Sequence, residues 1–189
     1  MKKKITIKEI TLVGLMAAMV YVTSAFLQIP IPTVIGNTRL HMGNVMCQLS
    51  GLLLGPVLGG LAAGIGSVFF DLTNPAYIAS APFTFVFKFL MAWVTGILYQ
   101  KWKSRGKIVL YSSIAATAGA LTYVVLYLSK SFIESYFLLQ MPFEAVILAI
   151  GQKGAASVAN GIIAVIVAVP LSMAIRPAIT KALGQLTEA

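Results

Sequence analysis

From residue 9 to residue 175 the chain is a succession of apolar stretches, at about 9–28, 42–56, 57–72, 82–100, 107–129 and 151–175, separated by short polar or Pro/Gly breaks. Water offers no fold for such a pattern. A soluble domain keeps about a quarter of its residues charged, whereas here only 10% are charged and 59% are hydrophobic. A bilayer does accommodate it, because about 20 residues cross the hydrocarbon as a helix that satisfies its own backbone hydrogen bonds. The expected fold is an all-α integral membrane protein, a single domain over 1–189 with six transmembrane helices. This reading excludes a soluble enzyme and a disordered tail, and it leaves no length for a separate ATPase or catalytic domain.

The second and third stretches meet at Gly55-Pro56, which reads either as a tight turn between two helices or as a kink in one long helix over 42–72. Basic residues decide between them. Lys2, Lys3, Lys4 and Lys8 precede the first span; Lys101, Lys103, Arg105 and Lys107 join the fourth and fifth; Arg176 and Lys181 follow the sixth. Six spans bring all three clusters to one side, and the positive-inside rule makes that side, with both termini, cytoplasmic. Five spans cannot do so. The net charge of +9 is therefore mostly topology, and nucleic acid is not expected as a partner. Met1-Lys2-Lys3-Lys4 followed by apolar residues resembles a signal peptide, but no small-x-small cleavage site precedes Pro30, so the segment is read as a retained first helix. A multi-pass protein of a bacterial cytoplasmic membrane is the expectation. Cys47, the single cysteine, stands in an apolar run and forms no internal disulfide.

On the outer side, connections at roughly 29–41, 73–81 and 130–150 are long, as a lid or binding mouth requires. Polar groups converge there. Arg39, His41 and Asn44 enter the second span, Asp71 and Tyr77 follow the third, and Gln140 and Glu144 precede the sixth. Lys88 sits within the fourth span among Phe83, Phe85, Phe87 and Phe89; a charge at that depth marks a site or else snorkels to the headgroups. Lys153, Ser157 and Asn160 fall at i, i+4 and i+7, one polar stripe on one face of the sixth helix, suited to a polar organic ligand or to helix–helix hydrogen bonding. Asp71 reads as a helix cap or a partner for Arg39. His41 alone is weak ground for a metal site, and no metal is expected.

Small residues recur every four positions at Gly51, Gly55 and Gly59, and again at Gly60 and Gly64, which predicts close helix packing. Gly14 and Ala18 give the first helix a similar groove, open to internal packing or to a second membrane subunit. Catalytic machinery is not found: no HExxH, no second histidine, no Walker motif. All five acidic residues lie near ends or loops and no inverted repeat is evident, which argues against an ion-coupled carrier.

The six-span layout, the Gly14 to Ala18 stripe, the run from Arg39 through Cys47 to Gly51-Leu52-Leu53-Leu54-Gly55-Pro56, and Lys153 through Gly161 resemble the S components of energy-coupling factor (ECF) vitamin transporters. The resemblance implies a subunit, not an enzyme, that captures a vitamin or its precursor from outside with high affinity. It implies partners too: a transmembrane coupling (T) protein and two cytoplasmic ATPases, which use ATP and Mg, while this chain binds no cofactor. The family's docking motif, Ala-x-x-x-Ala, falls on Gly14-x-x-x-Ala18 here. Its sites, built from the first outer loop and the fourth to sixth spans, place substrate-binding roles on Arg39, His41, Asn44, Tyr77, Phe83, Phe87, Lys88, Lys153, Ser157 and Asn160. The pattern resembles the hydroxymethylpyrimidine or pyridoxine subgroup, with cobalamin or another large precursor as the alternative; the excess of lysine argues against cationic thiamine. A solitary facilitator or ion-coupled carrier is the competing class.

Overall fold

The structure, a computed structural model, describes residues 6–184. Six helices follow one another: α1 (Ile7–Phe26), α2 (Gly43–Leu54), α3 (Pro56–Thr73), α4 (Ala81–Trp102), α5 (Ile108–Ile133) and α6 (Phe143–Gly184). Thr6 starts α1 with a capping box, in which its hydroxyl accepts from the Glu9 N–H at 3.3 Å and its own N–H donates to the Glu9 carboxylate at 2.9 Å. Lys8 at the start of α1, the Lys101 to Lys107 cluster between α4 and α5, and Lys181 late in α6 are exposed. Alternation of six helices puts these clusters at one end of the bundle. Lys2, Lys3 and Lys4 lie outside the described residues.

Five of the helices are long and apolar enough to cross a membrane, and α2 is not. Its 12 residues rise about 18 Å against a hydrocarbon thickness of about 30 Å. The expected span at 42–56 is thus a short helix inside the bundle. It packs on all five other helices, and nine of its residues are buried, so protein rather than lipid surrounds it. A β-hairpin covers its outer end: β1 (Gln28–Pro32) pairs antiparallel with β2 (Asn37–His41), Gln28 opposite His41 and Pro30 opposite Arg39. The connection expected as loop at 29–41 is this hairpin, a small sheet in an otherwise helical protein.

Gly55, at φ +80°, ends α2, and Pro56 opens α3. The Ser50 hydroxyl donates to the Gly59 carbonyl at 2.9 Å, and Cys47 Sγ lies 3.8 Å from Ser67 Oγ, so α2 and α3 run antiparallel and the single kinked helix is set aside. Glycine makes that approach possible: a Cβ on Gly59 would lie 2.5 Å from the Ser50 carbonyl oxygen, and one on Gly66 or Gly51 would collide with the carbonyl of Ala17 or Ala92. Gly60 and Gly64 accept the rings of Phe89 and Phe85, which stack at 6.2 Å.

The third outer connection is shorter than the 130–150 expected. α5 runs to Ile133, a π-helical turn follows over Glu134–Leu138, and α6 begins at Phe143 and continues beyond 175 to Gly184. Lys130, Ser131, Glu134, Ser135 and Lys153 all face a cavity at the outer end of the bundle. Their polarity marks a cavity-facing helical stripe, which imitates a loop when read along the chain.

Candidate functional site

A cavity of about 380 Å³ opens at the outer end, lined from β2, the ends of α3 and α4, α5 and α6. Nine of the ten site residues expected from the sequence line it: Arg39, His41, Tyr77, Phe83, Phe87, Lys88, Lys153, Ser157 and Asn160. Asn44, the tenth, lies just below and accepts a hydrogen bond from the Lys88 ammonium.

Lys88 forms the floor. It is 3% exposed, so it does not snorkel, and its Nζ stands 3.6 Å from the centre of the Tyr123 ring. One wall is aromatic: Tyr123 and Tyr127, one turn apart on α5, stack with centroids 5.7 Å apart and 7° between planes. Phe83 and Phe87 of α4 pair at 6.3 Å. Both aromatic pairs line the cavity, and ring faces of this kind suit a flat ligand.

The hairpin roofs the cavity. Arg39 places its guanidinium over Phe70 at 3.9 Å and Tyr77 at 4.6 Å, with Nη2 3.7 Å from the Asp71 carboxylate and Nη1 donating to Gln28 Oε1 at 3.2 Å. Asn160 reaches up from α6, its Nδ2 donating to the Arg39 carbonyl at 2.8 Å and its Oδ1 accepting from the His41 N–H at 2.9 Å. Its amide thus fastens the hairpin, a role the polar stripe did not distinguish from ligand binding. Gln152 Oε1 accepts from the Val34 N–H at 3.0 Å, holding the hairpin tip to the same helix. Burial, with Lys88 and Arg39 adding to it, holds the His41 imidazole well below its ordinary pKa of 6.5, so it is neutral at pH 7. Its Nδ1, buried, has no hydrogen-bond partner among the described residues.

At the mouth, Lys130 pairs with Glu134 and donates to Ser80 Oγ at 3.1 Å, while Lys153 donates to Ser131 Oγ at 2.9 Å. Ser157 is buried beside them. The sequence reading passed over Tyr123, Tyr127, Lys130, Ser131 and Glu134. A signal was present: positions 123, 127, 130 and 134 repeat at helical spacing, as 153, 157 and 160 do on α6. Among the described residues no cluster of three His, Cys, Asp or Glu is placed to hold a metal.

On the far side of α1, Gly14, Leu15 and Ala18 are exposed and a Cβ on Gly14 would meet open space, while Met16, Ala17 and Val20 face the bundle. Gly14 and Ala18 therefore lie on the outward face of α1 and not in the core.

Fold and cavity define a multi-pass membrane protein of the solute-binding kind. The sequence pattern of the family described as "ECF-type riboflavin transporter, S component" matches residues 4–177, and the chain belongs to that family. It is a vitamin-binding subunit of a membrane transporter, a transport component and not an enzyme, and membership implies association with T and ATPase modules. A protein of Pyrococcus woesei described as "Uncharacterized protein in gap 3'region" is 33% identical over 105 residues, 56% of this chain and 68% of that one.

Proposed function

We propose that the outer cavity binds a small heterocyclic vitamin or precursor, hydroxymethylpyrimidine or pyridoxine, and that the complex delivers it through a T protein and two ATPases that dock on the Gly14 and Ala18 face. Those partners hydrolyse ATP with Mg; this chain binds no cofactor. The observation that carries the reading is the roofed, aromatic-walled cavity of about 380 Å³. Its volume suits one ring with polar substituents, and a corrinoid such as cobalamin is several times too large. Riboflavin is a second reading, favoured by the family's description and by a slot whose stacked tyrosines suit a fused ring system.

Native mass spectrometry of the protein purified from cells grown in rich medium tests this. A co-purified pyridine or pyrimidine supports the first reading, a flavin the second, and a corrinoid or no vitamin overturns both. Uptake into vesicles containing this chain alone would instead indicate a solitary facilitator or ion-coupled carrier.

A further inference from the structure

The charges around the cavity do not balance. Among the described residues four cations line it, Arg39, Lys88, Lys130 and Lys153, against two carboxylates, Asp71 and Glu134. Asp71 lies 3.7 Å from Arg39, and Glu134 pairs with Lys130. Among the described residues no carboxylate lies within 4.0 Å of Lys88 or Lys153. Lys153 is partly exposed at the mouth and donates to Ser131 Oγ. Lys88 is not: at 3% exposure its close partners among the described residues are the Asn44 carboxamide oxygen and the face of Tyr123, both neutral, and Asp71, the carboxylate that acts on it from farther away, is shared with Arg39. An ammonium has three N–H donors, and the third is left for whatever fills the cavity. A buried cation with no carboxylate of its own opposes folding and persists where function requires it.

We infer that the molecule held in this cavity is a heteroaromatic anion, its negative oxygen on the ring or on a group bonded directly to it, seated against Lys88 at the floor. This rests on the vitamin-binding reading above and narrows it. A flat ring between the aromatic walls brings only its own edge substituents to Lys88, so a charge on a long tail stays at the mouth with Lys153. The bound anion completes the ion pair that the chain leaves open. Among the small candidates this favours a pyridine bearing an ionised ring hydroxyl or carboxylate over a neutral aminopyrimidine.

The test is equilibrium binding to the full chain in detergent with two matched pairs: pyridine-3-carboxylate against its carboxamide, and riboflavin 5′-phosphate against riboflavin. The ring carboxylate is expected to bind at least tenfold more tightly than the amide, Lys88→Met to abolish that ratio, and Lys153→Met to leave most of it. Melting of the unliganded protein gives a second readout, since Lys88→Met removes an unpaired buried charge and is expected to raise the midpoint. Equal affinity for acid and amide, no binding of either, or a lowered midpoint with the ratio intact would each overturn the inference. Tail-phosphate preference dependent on Lys153 would overturn the seating at Lys88. A neutral vitamin identified by mass spectrometry alongside any of these results leaves the vitamin-binding reading standing; absence of any vitamin removes both.

Discussion

The outer and inner halves of this bundle are built from the same helices by opposite rules. In the inner half, small residues bring backbones together: Gly51 lies against the Ala92 carbonyl, Gly96 against Gly55 and Pro56, and Gly119 against the Met91 carbonyl and Thr95. Toward the outer side, α4 and α5 carry Phe87, Lys88, Tyr123 and Tyr127, large side chains that hold the helices apart around the cavity. Lipid offers no hydrophobic drive between helices, so tight packing below supplies the cohesion that allows an open site above. Unpaired buried polar atoms occur in both halves: His41 Nδ1 and Asn44 Nδ2 near the cavity, and Ser112 Oγ and Arg176 Nε in the inner half, lack partners among the described residues, while Gln48 donates to the Ala116 carbonyl at 2.8 Å and accepts from Thr95.

Breaking the inner half is expected to have the largest effect. Gly51→Val forces a side chain into the Ala92 backbone, where overpacking costs about 1–3 kcal/mol or more; most of the protein should be lost as aggregate on size-exclusion chromatography in detergent. A well-behaved Gly51→Val protein would show that the inner half is not the rigid one. Next comes the roof. Asn160→Ala removes two hydrogen bonds to the hairpin, about 1–3 kcal/mol with buried partners left unpaired, and should weaken ligand binding about tenfold while speeding release. Stopped-flow dissociation distinguishes a loosened roof from a lost ligand contact, because only the former raises both association and dissociation rates.

A smaller effect follows from His41. Its folded pKa lies below the unfolded value of 6.5, so the unfolded chain takes up the proton first as pH falls. The stability associated with neutral His41 is full above pH 6.5 and declines below it toward the folded pKa. Melting in detergent from pH 8 to pH 5 should show a fall in midpoint below about 6.5 that His41→Gln reduces. The smallest effect on stability is expected at Gly14→Leu, which enters open space and should shift stability by less than about 0.5 kcal/mol. Ligand binding should be unchanged and uptake with the partner module lost; unchanged uptake would remove the docking role from this face.

Much of the architecture was legible because the bilayer reads it too. Helix number, the positive side and the Gly55-Pro56 turn follow from hydropathy, lysine placement and backbone restriction, all local properties of the chain. Sequence alone also brought Arg39, Lys88 and Lys153 to one level, since charges among apolar neighbours are conspicuous. Tyr123 and Tyr127 were not conspicuous, because a tyrosine in an apolar helix packs equally well against lipid, protein or ligand.

Only tertiary structure decided the rest. That α2 stops short of a full span depends on five neighbours replacing lipid around it. That Asn160 fastens the hairpin while Lys88 meets an amide oxygen and not a carboxylate depends on which groups arrive within hydrogen-bond reach from residues over a hundred, or over forty, positions away. Hydrophobic patterning specifies how each segment meets the membrane; pairing of buried polar groups is set by distances between segments, which no single segment encodes.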